Sequence, residues 1–326
     1  MGGEIRDGES GRGGDERRES APQGRAGLRL IPLILAGAVI LAFGAFFAEG
    51  CGVAGASRDL ELNIGYIEWD ENVANSALIK VLAEDRLGYE VNLERSDLPF
   101  VIEGVAEGDF DVFMDVWLPA HRPLVEEAGD SVVLSREPWY VGETEFGIAV
   151  PDYMEETRSL EDLNSSGAGM ITGIEPGALL MKRIQSRVIP EYDLDLVLVE
   201  SSTPAMLSEL DRAYSQRRPF VFLAWSPHWM NARYDFHYLE DPKGTMEGIV
   251  DPSKLHSLYN EDFQEEDPVA HALIDSMRLT ESQMSDIELH IVRSGSPEEG
   301  ARRWVEENEA VVEPWLEAAN AAGGIG

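Results

Sequence analysis

Cysteine is almost absent. A single one, Cys51, stands among 326 residues, so no disulfide can close within the chain. Basic residues are also scarce: 26 Lys and Arg face 61 Asp and Glu, a net charge of −35 at pH 7. So acidic a chain repels nucleic acid and anionic lipid headgroups, and it tolerates a cationic or zwitterionic ligand. Most of the carboxylates read as a solvated surface suited to high salt. Long apolar runs are lacking apart from residues 30–48, so a fused permease is excluded. No G-x-S-x-G, H-E-x-x-H or phosphate loop occurs. His237, His256, His271 and His290 show no metal-ligand spacing. Acid pairs such as Asp109 and Asp111 are too common in this chain to be specific. Neither catalysis, a metal nor a cofactor is indicated.

With 44% hydrophobic residues the chain can bury a sizeable core, and its length suggests about two domains. Residues 1–29, rich in Gly, Arg, Glu and Asp, predict disorder. Residues 30–48 carry no charge. That is long for a signal-peptide core and near the minimum for a membrane span. Arg25 and Arg29 precede the run, while Glu49, Asp59 and Glu61 follow it, which places residues 52 onward outside the cytoplasmic membrane. Ala48-Glu49-Gly50-Cys51 resembles a bacterial lipoprotein signal, in which Cys51 is lipidated; Glu49 departs from that pattern. The segment is therefore either a cleaved lipoprotein signal or an uncleaved anchor, and both tether the chain to the membrane.

From residue 58 strands alternate with helices, an α/β pattern with a mostly parallel sheet. Strands are predicted at 62–67, 89–95, 111–116, 145–150, 168–172, 194–200, 219–225 and 236–239. Helices are predicted at 72–86, ended by Gly88, and at 99–108, 177–188 and 203–217. Strand signals stop after about Pro242, where helices are expected at 267–277, 280–293 and 297–316. Residues 146–240 read as a lobe inserted into another, lobe one being 58–145 plus 241–326 and lobe two 146–240. Crossing strands between two lobes suggest a cleft that closes by a hinge.

Three segments place a tryptophan where a strand pattern runs out: Ile67-Glu68-Trp69-Asp70, Val116-Trp117-Leu118-Pro119-Ala120-His121 and Ala224-Trp225-Ser226-Pro227-His228-Trp229. Ligands in open α/β sheets bind beyond the carboxyl ends of the strands. Each tryptophan taken alone reads as packing. Together, three indole faces make a box for a quaternary ammonium ion, which has no N–H to be read by hydrogen bonds but is attracted to ring quadrupoles. Ile171-Thr172-Gly173-Ile174-Glu175-Pro176-Gly177 follows a strand and opens a helix; it suits a carboxylate or is an ordinary turn. His121 is a candidate carboxylate donor or a helix-start histidine. Asp115 reads as the end of a strand, and His228 as packing at a turn.

These residues resemble the solute-binding proteins of ABC importers for glycine betaine and related compatible solutes, the OpuAC/ProX type. The likeness covers about residues 60–320. Its most specific pieces are 171–177 and the run from Ala224 through Met230 and Tyr234 to Lys243, with Trp117-Leu118-Pro119 and Leu87-Gly88-Tyr89-Glu90-Val91 in agreement. The resemblance implies a two-lobed type II periplasmic-binding-protein fold with ligand in the interlobe cleft. It also implies a box of Trp69, Trp117 and Trp225 around the onium head. His121 and the backbone amides of Gly173 and Ile174 would hold the carboxylate. A monomeric, extracytoplasmic binding protein is expected, docking on a membrane permease driven by a separate ATPase. Carnitine, choline, proline betaine and dimethylsulfoniopropionate are alternative ligands. The rival readings are a membrane-tethered sensing domain and an enzyme acting on choline or betaine; the enzyme would need a base or nucleophile beside the box.

Overall fold

The computed structural model describes residues 60–324. The expected disorder of 1–29, the apolar run 30–48 and the lipidation of Cys51 lie outside the described residues. Among the described residues no helix is long and apolar enough to cross a membrane.

The strands, in chain order, are β1 Glu61–Tyr66, β2 Glu90–Arg95, β3 Val112–Leu118, β4 Val132–Leu134, β5 Tyr140–Val141, β6 Glu145–Pro151, β7 Met170–Thr172, β8 Val197–Val199, β9 Val221–Ser226, β10 Phe236–Tyr238, β11 Lys254–Asn260 and β12 Leu279–Thr280. They form two five-stranded sheets, ordered β2-β1-β3-β11-β4 and β10-β6-β9-β7-β8, and a two-stranded β12-β5 pair. Each large sheet is mixed rather than mostly parallel. In the first, β1 pairs in parallel with β2 and β3, whereas β11 is antiparallel to β3 and β4. In the second, β7 is parallel to β8 and β9, whereas β6 is antiparallel to β9 and β10.

Strand β11 lies where no strand is expected from the sequence. Its pattern is broken by the polar His256 and Ser257 and by a register shift between His256 and Leu258, so the alternation that marks a half-buried strand is lost. It is nevertheless a core strand: Leu255, Ser257, Leu258 and Tyr259 are all buried. Its partner β3 is buried along six of its seven residues, as befits a central strand. Each fully buried Leu, Ile, Val or Phe there contributes about 1.5–3 kcal/mol.

Helix α1 spans Asp70–Leu82, with Asp70 and Glu71 in its first turn and Lys80 in its last, both favourable to the helix dipole. A wider turn, Ala83–Leu87, follows, and Gly88 ends it at φ 80°, a left-handed conformation cheap only for glycine. Helix α2 spans Leu98–Glu107. The expected helix at 297–316 is two, Pro297–Glu307 and Glu309–Ala322, separated at Asn308. These and the helix Glu281–Ser294 return to the first sheet, where Arg302 pairs with Asp85 at 2.8 Å.

The chain passes from one sheet to the other between Leu134 and Glu145 and returns between Tyr238 and Lys254. The two crossings are stitched together by buried Thr144 and Ser253. The Ser253 N–H donates to Thr144 Oγ1 at 2.6 Å, and that hydroxyl donates to the Ser253 carbonyl at 3.1 Å.

Candidate functional site

The carboxyl ends of β1, β3, β7 and β9 converge on the space between the sheets, and the three tryptophans sit at three of them. Trp69 caps the start of α1 just beyond β1. Trp117 is the penultimate residue of β3, and Trp225 that of β9. The turn bearing Trp69 is held from below: Asn72 Oδ1 accepts from the Ile67 N–H at 2.8 Å, Asn72 bonds Asn75, and Asn75 reaches the Met114 carbonyl at 2.8 Å. The carbonyl of Trp225 is fixed by Asn231 Nδ2 at 2.7 Å.

Four aromatic rings close a cycle. Trp69 lies 6.5 Å from Trp117, at 87° between planes, and 6.4 Å from Trp225. Phe146 closes the far side, 6.1 Å from Trp117 and 6.4 Å from Trp225. Phe146 faces Trp225 because β6 and β9 pair antiparallel with these two residues in register. The rings, with Glu71, Ala120, His121, Ile174, Leu179 and Ile249, line a narrow cavity of about 20 Å³. Cations are attracted to each well-placed ring face by about 0.5–2 kcal/mol.

Every indole N–H of the cycle is taken by a carboxylate. Trp225 Nε1 donates to Glu71 Oε2 at 2.8 Å, Trp117 Nε1 to Asp115 Oδ1 at 3.0 Å, and Trp69 Nε1 to Glu175 Oε2 at 3.1 Å. Trp229, outside the cycle, donates likewise to Asp70 Oδ2 at 3.0 Å. Three of these four bonds join the first sheet's elements to the second's. The Trp229 amide adds another to Glu288 Oε2 at 2.6 Å, and the fully buried His228 sits with Nε2 2.6 Å from Asp70. The molecule is thus in a closed state. Asp115 does more than end a strand: it is fully buried and holds the Trp117 ring.

These buried acids are costly to charge. Burial, with added repulsion from Asp115 and Glu288, raises the Glu71 carboxyl well above its usual range. Burial does the same to Asp115 and Glu288, and raises Glu175 despite three donors on its oxygens.

His121 is tied to Trp117 twice: its N–H donates to the Trp117 carbonyl at 2.7 Å, and its Nδ1 accepts from the Trp117 N–H at 3.1 Å. That acceptance assigns the ring hydrogen to Nε2. Burial depresses the His121 pKa to about 3, so the ring is a neutral donor. The Ile174 carbonyl accepts from the Ser201 N–H at 3.2 Å, while its own N–H has no partner among the described residues and its side chain lines the cavity.

Gly173 departs from expectation. Its N–H already donates to the Val199 carbonyl at 2.9 Å, and it is absent from the cavity wall. Its glycine character answers to packing instead, because a Cβ there would lie 2.4 Å from the Met181 thioether and 3.0 Å from the Val199 oxygen. The helix after this turn begins at Leu179, not Gly177, and runs on from Leu179–Arg183 through a wider turn, Ile184–Val188, to Ile189–Tyr192. Trp139 is fully buried against Tyr140, away from the cycle.

Sequence reasoning thus brought Trp69, Trp117, Trp225, His121 and Ile174 to one cavity. It missed Phe146, which lies at the start of its strand rather than the end, and Glu71, one acid among many. The spacing Trp69-Asp70-Glu71 at a helix start was the available signal for the latter.

The family profile described as the substrate binding domain of ABC-type glycine betaine transport systems matches residues 61–307. The glycine betaine/carnitine transport binding protein GbuC of Listeria monocytogenes serotype 1/2a is 32% identical over 167 residues, covering 50% of this chain and 54% of that protein. The chain is therefore aligned to about half the length of that curated relative. Lactococcal OpuAC, crystallised closed with glycine betaine, superposes with a TM-score of 0.70 at 32% identity, over 79% of this chain and 100% of that one. An ABC-transporter choline binding protein in complex with choline shares the fold at a TM-score of 0.70 and 24% identity, over 82% of this chain and 99% of that one.

Proposed function

This chain belongs to the family of substrate-binding domains of ABC-type glycine betaine transport systems, and on that premise we propose that it captures glycine betaine, or a close quaternary-ammonium solute, between its lobes. The observation that carries the reading is the closed cycle of Trp69, Trp117, Phe146 and Trp225. A trimethylammonium head offers nothing but charge and methyl surface, and this cycle offers ring faces. The other end of a betaine is a carboxylate, which needs donors; the His121 Nε2–H and the Ile174 N–H supply them.

In this reading the lobes are residues 58–145 with 241–326, and residues 146–240. Trp69, Trp117 and His121 come from the first, Trp225, Phe146 and Ile174 from the second. A ligand touching both stabilises the closed state over the open one. The protein acts as a monomeric carrier outside the cytoplasmic membrane, tethered by residues 30–48 or by lipidated Cys51. It hands its solute to a membrane permease powered by a separate ATPase, and so serves osmoprotection. It acts as a binding component, the role of the family whose profile it matches, rather than as a catalyst.

Choline is the second reading, favoured by Glu71, an acid of the cavity wall whose buried Oε1 has no hydrogen-bond partner and would accept a hydroxyl. Tryptophan fluorescence of the purified chain, titrated with glycine betaine, carnitine, choline and proline, separates these. A saturable change with glycine betaine, lost in Trp117→Ala, supports the reading. Response to choline alone transfers it to the second. No response to any onium compound from folded protein ends both.

A further inference from the structure

The cavity wall carries no Lys or Arg among the described residues, yet each indole N–H behind it is paired with a carboxylate. Packing does not require this. A carbonyl or hydroxyl would satisfy an indole N–H without the cost of a buried acid. The arrangement is also incomplete by ordinary standards: Glu71 Oε1 and Asp115 Oδ2 are buried and unpartnered. Glu71 is itself part of the cavity wall and fully buried.

A carboxylate accepting from an indole N–H draws the proton outward and pushes electron density into the ring. The ring face then becomes more negative where a cation would sit. Charge-assisted bonds are also the stronger and shorter ones, so the same contacts orient the rings. At the fully buried Glu71 and Asp115 little water intervenes to screen the effect, whereas Glu175 is only half-buried.

Accepting the reading of the cavity as an onium site, we propose that Glu71, Asp115 and Glu175 are positioning residues that set the cage's preference for a positively charged head. They do so through the indole N–H groups of Trp225, Trp117 and Trp69. They select for charge, while the ring faces and the methyl-sized cavity select for shape. Their surroundings fit this role. Glu71 faces Asp115 from β3 and Glu288 from the helix Glu281–Ser294, all acids; burial and mutual repulsion disfavour charge on them, and a cation bound at the ring faces favours the ionised form.

The test compares two ligands that differ only in head charge: glycine betaine and 3,3-dimethylbutanoate, its carbon isostere with a tert-butyl head. Both are titrated by calorimetry into the wild-type chain and into Glu71→Gln, Asp115→Asn and Glu175→Gln. The amide variants keep an oxygen acceptor for each indole and lose the capacity to ionise beside a bound cation. The wild type is expected to favour glycine betaine by at least tenfold, and each variant to lose roughly threefold to tenfold of that preference. Affinity for the isostere should change less than about twofold, within the non-additivity of such substitutions. Equal losses for both ligands would show that the carboxylates only hold the rings in place, and would overturn the proposal. So would a wild type that binds both ligands equally, a result that needs no variant to fold. A wild type that binds neither ligand would instead sink the onium reading itself.

Discussion

Trp225, at the end of β9, and Glu71, in the first turn of α1, meet across the cleft: the indole N–H donates to Glu71 Oε2 at 2.8 Å, with both side chains buried. One bond thus ties the closing of the molecule to the orientation of a wall of its cavity. Substitution Trp225→Phe keeps an aromatic face and removes the donor. A buried acid left without its partner costs about 1–3 kcal/mol. The cost falls on the closed state alone, so betaine affinity should drop roughly tenfold or more by calorimetry. Thermal stability of the ligand-free protein should change little, because the open state exposes both groups to water. A fall in stability equal to the fall in affinity would refute the latch.

His121 offers a test by charge. Burial lowers its pKa from 6.5 to about 3. As the pH falls, the unfolded chain takes up this proton first. Stability associated with His121 is therefore complete above pH 6.5 and is lost as the pH falls toward 3. Melting curves from pH 7 to pH 5 should slope more steeply for the wild type than for His121→Gln. Because Nε2 carries the hydrogen that a carboxylate would accept, His121→Ala should also weaken glycine betaine by about tenfold or more, the worth of a bond to a charged group.

The separation between what sequence shows and what it hides follows from chain distance. Trp69, Trp117 and Trp225 announce themselves because each sits in its own local pattern, at the end of an apolar strand. His121 lies four residues from Trp117, within the reach of one turn. Phe146 cannot be read this way: only the antiparallel register of β6 on β9 brings it opposite Trp225, and that register is a long-range fact. Glu71 is hidden by abundance, one of 61 acids whose usual place is the surface. Strand β11 is hidden because His256 and Ser257 break its alternation, although the tertiary structure buries Leu255, Leu258 and Tyr259. Gly173 was legible as a special position but not as to its cause; its amide belongs to Val199 and its missing Cβ to Met181.

That cause predicts a modest, separable effect. In Gly173→Ala the new methyl meets the flexible end of Met181, which can move, and the Val199 carbonyl, which cannot without shifting β8. Such overpacking costs about 1–3 kcal/mol. Thermal denaturation should register the loss, and Met181→Ala should restore much of it by making room. An unchanged melting temperature in the single variant would show the turn to be looser than this geometry.

At the crossing of the two lobes, Thr144→Val leaves the buried Ser253 N–H without its acceptor at 2.6 Å. The expected destabilisation is about 1–3 kcal/mol. For a domain of this size that lowers Tm by roughly 2–10 °C. The substitution touches no residue of the cavity wall. Binding measured well below Tm should therefore be altered far less than stability, while hydrogen exchange at residues 142–145 and 251–254 should quicken.

Salt distinguishes the zwitterionic ligand from the cationic one. A net charge of −35 gives the chain a negative field, which attracts a free cation from a distance and leaves a neutral zwitterion almost unmoved. At physiological ionic strength that potential decays over about 8 Å, and over about 3 Å at 1 M, whereas contacts inside the closed cavity are screened much less. Choline affinity should therefore fall several-fold between low salt and 1 M sodium chloride. Glycine betaine affinity should hold within about twofold, since its attraction to the indole faces and its carboxylate bonds lie beyond the reach of bulk ions. Calorimetry across that salt range decides the matter. A steep salt dependence for glycine betaine would mean that it is held at an exposed surface rather than among Trp69, Trp117, Phe146 and Trp225. Retention at high salt is what an osmolyte carrier requires, because osmolytes are needed most when salt is abundant.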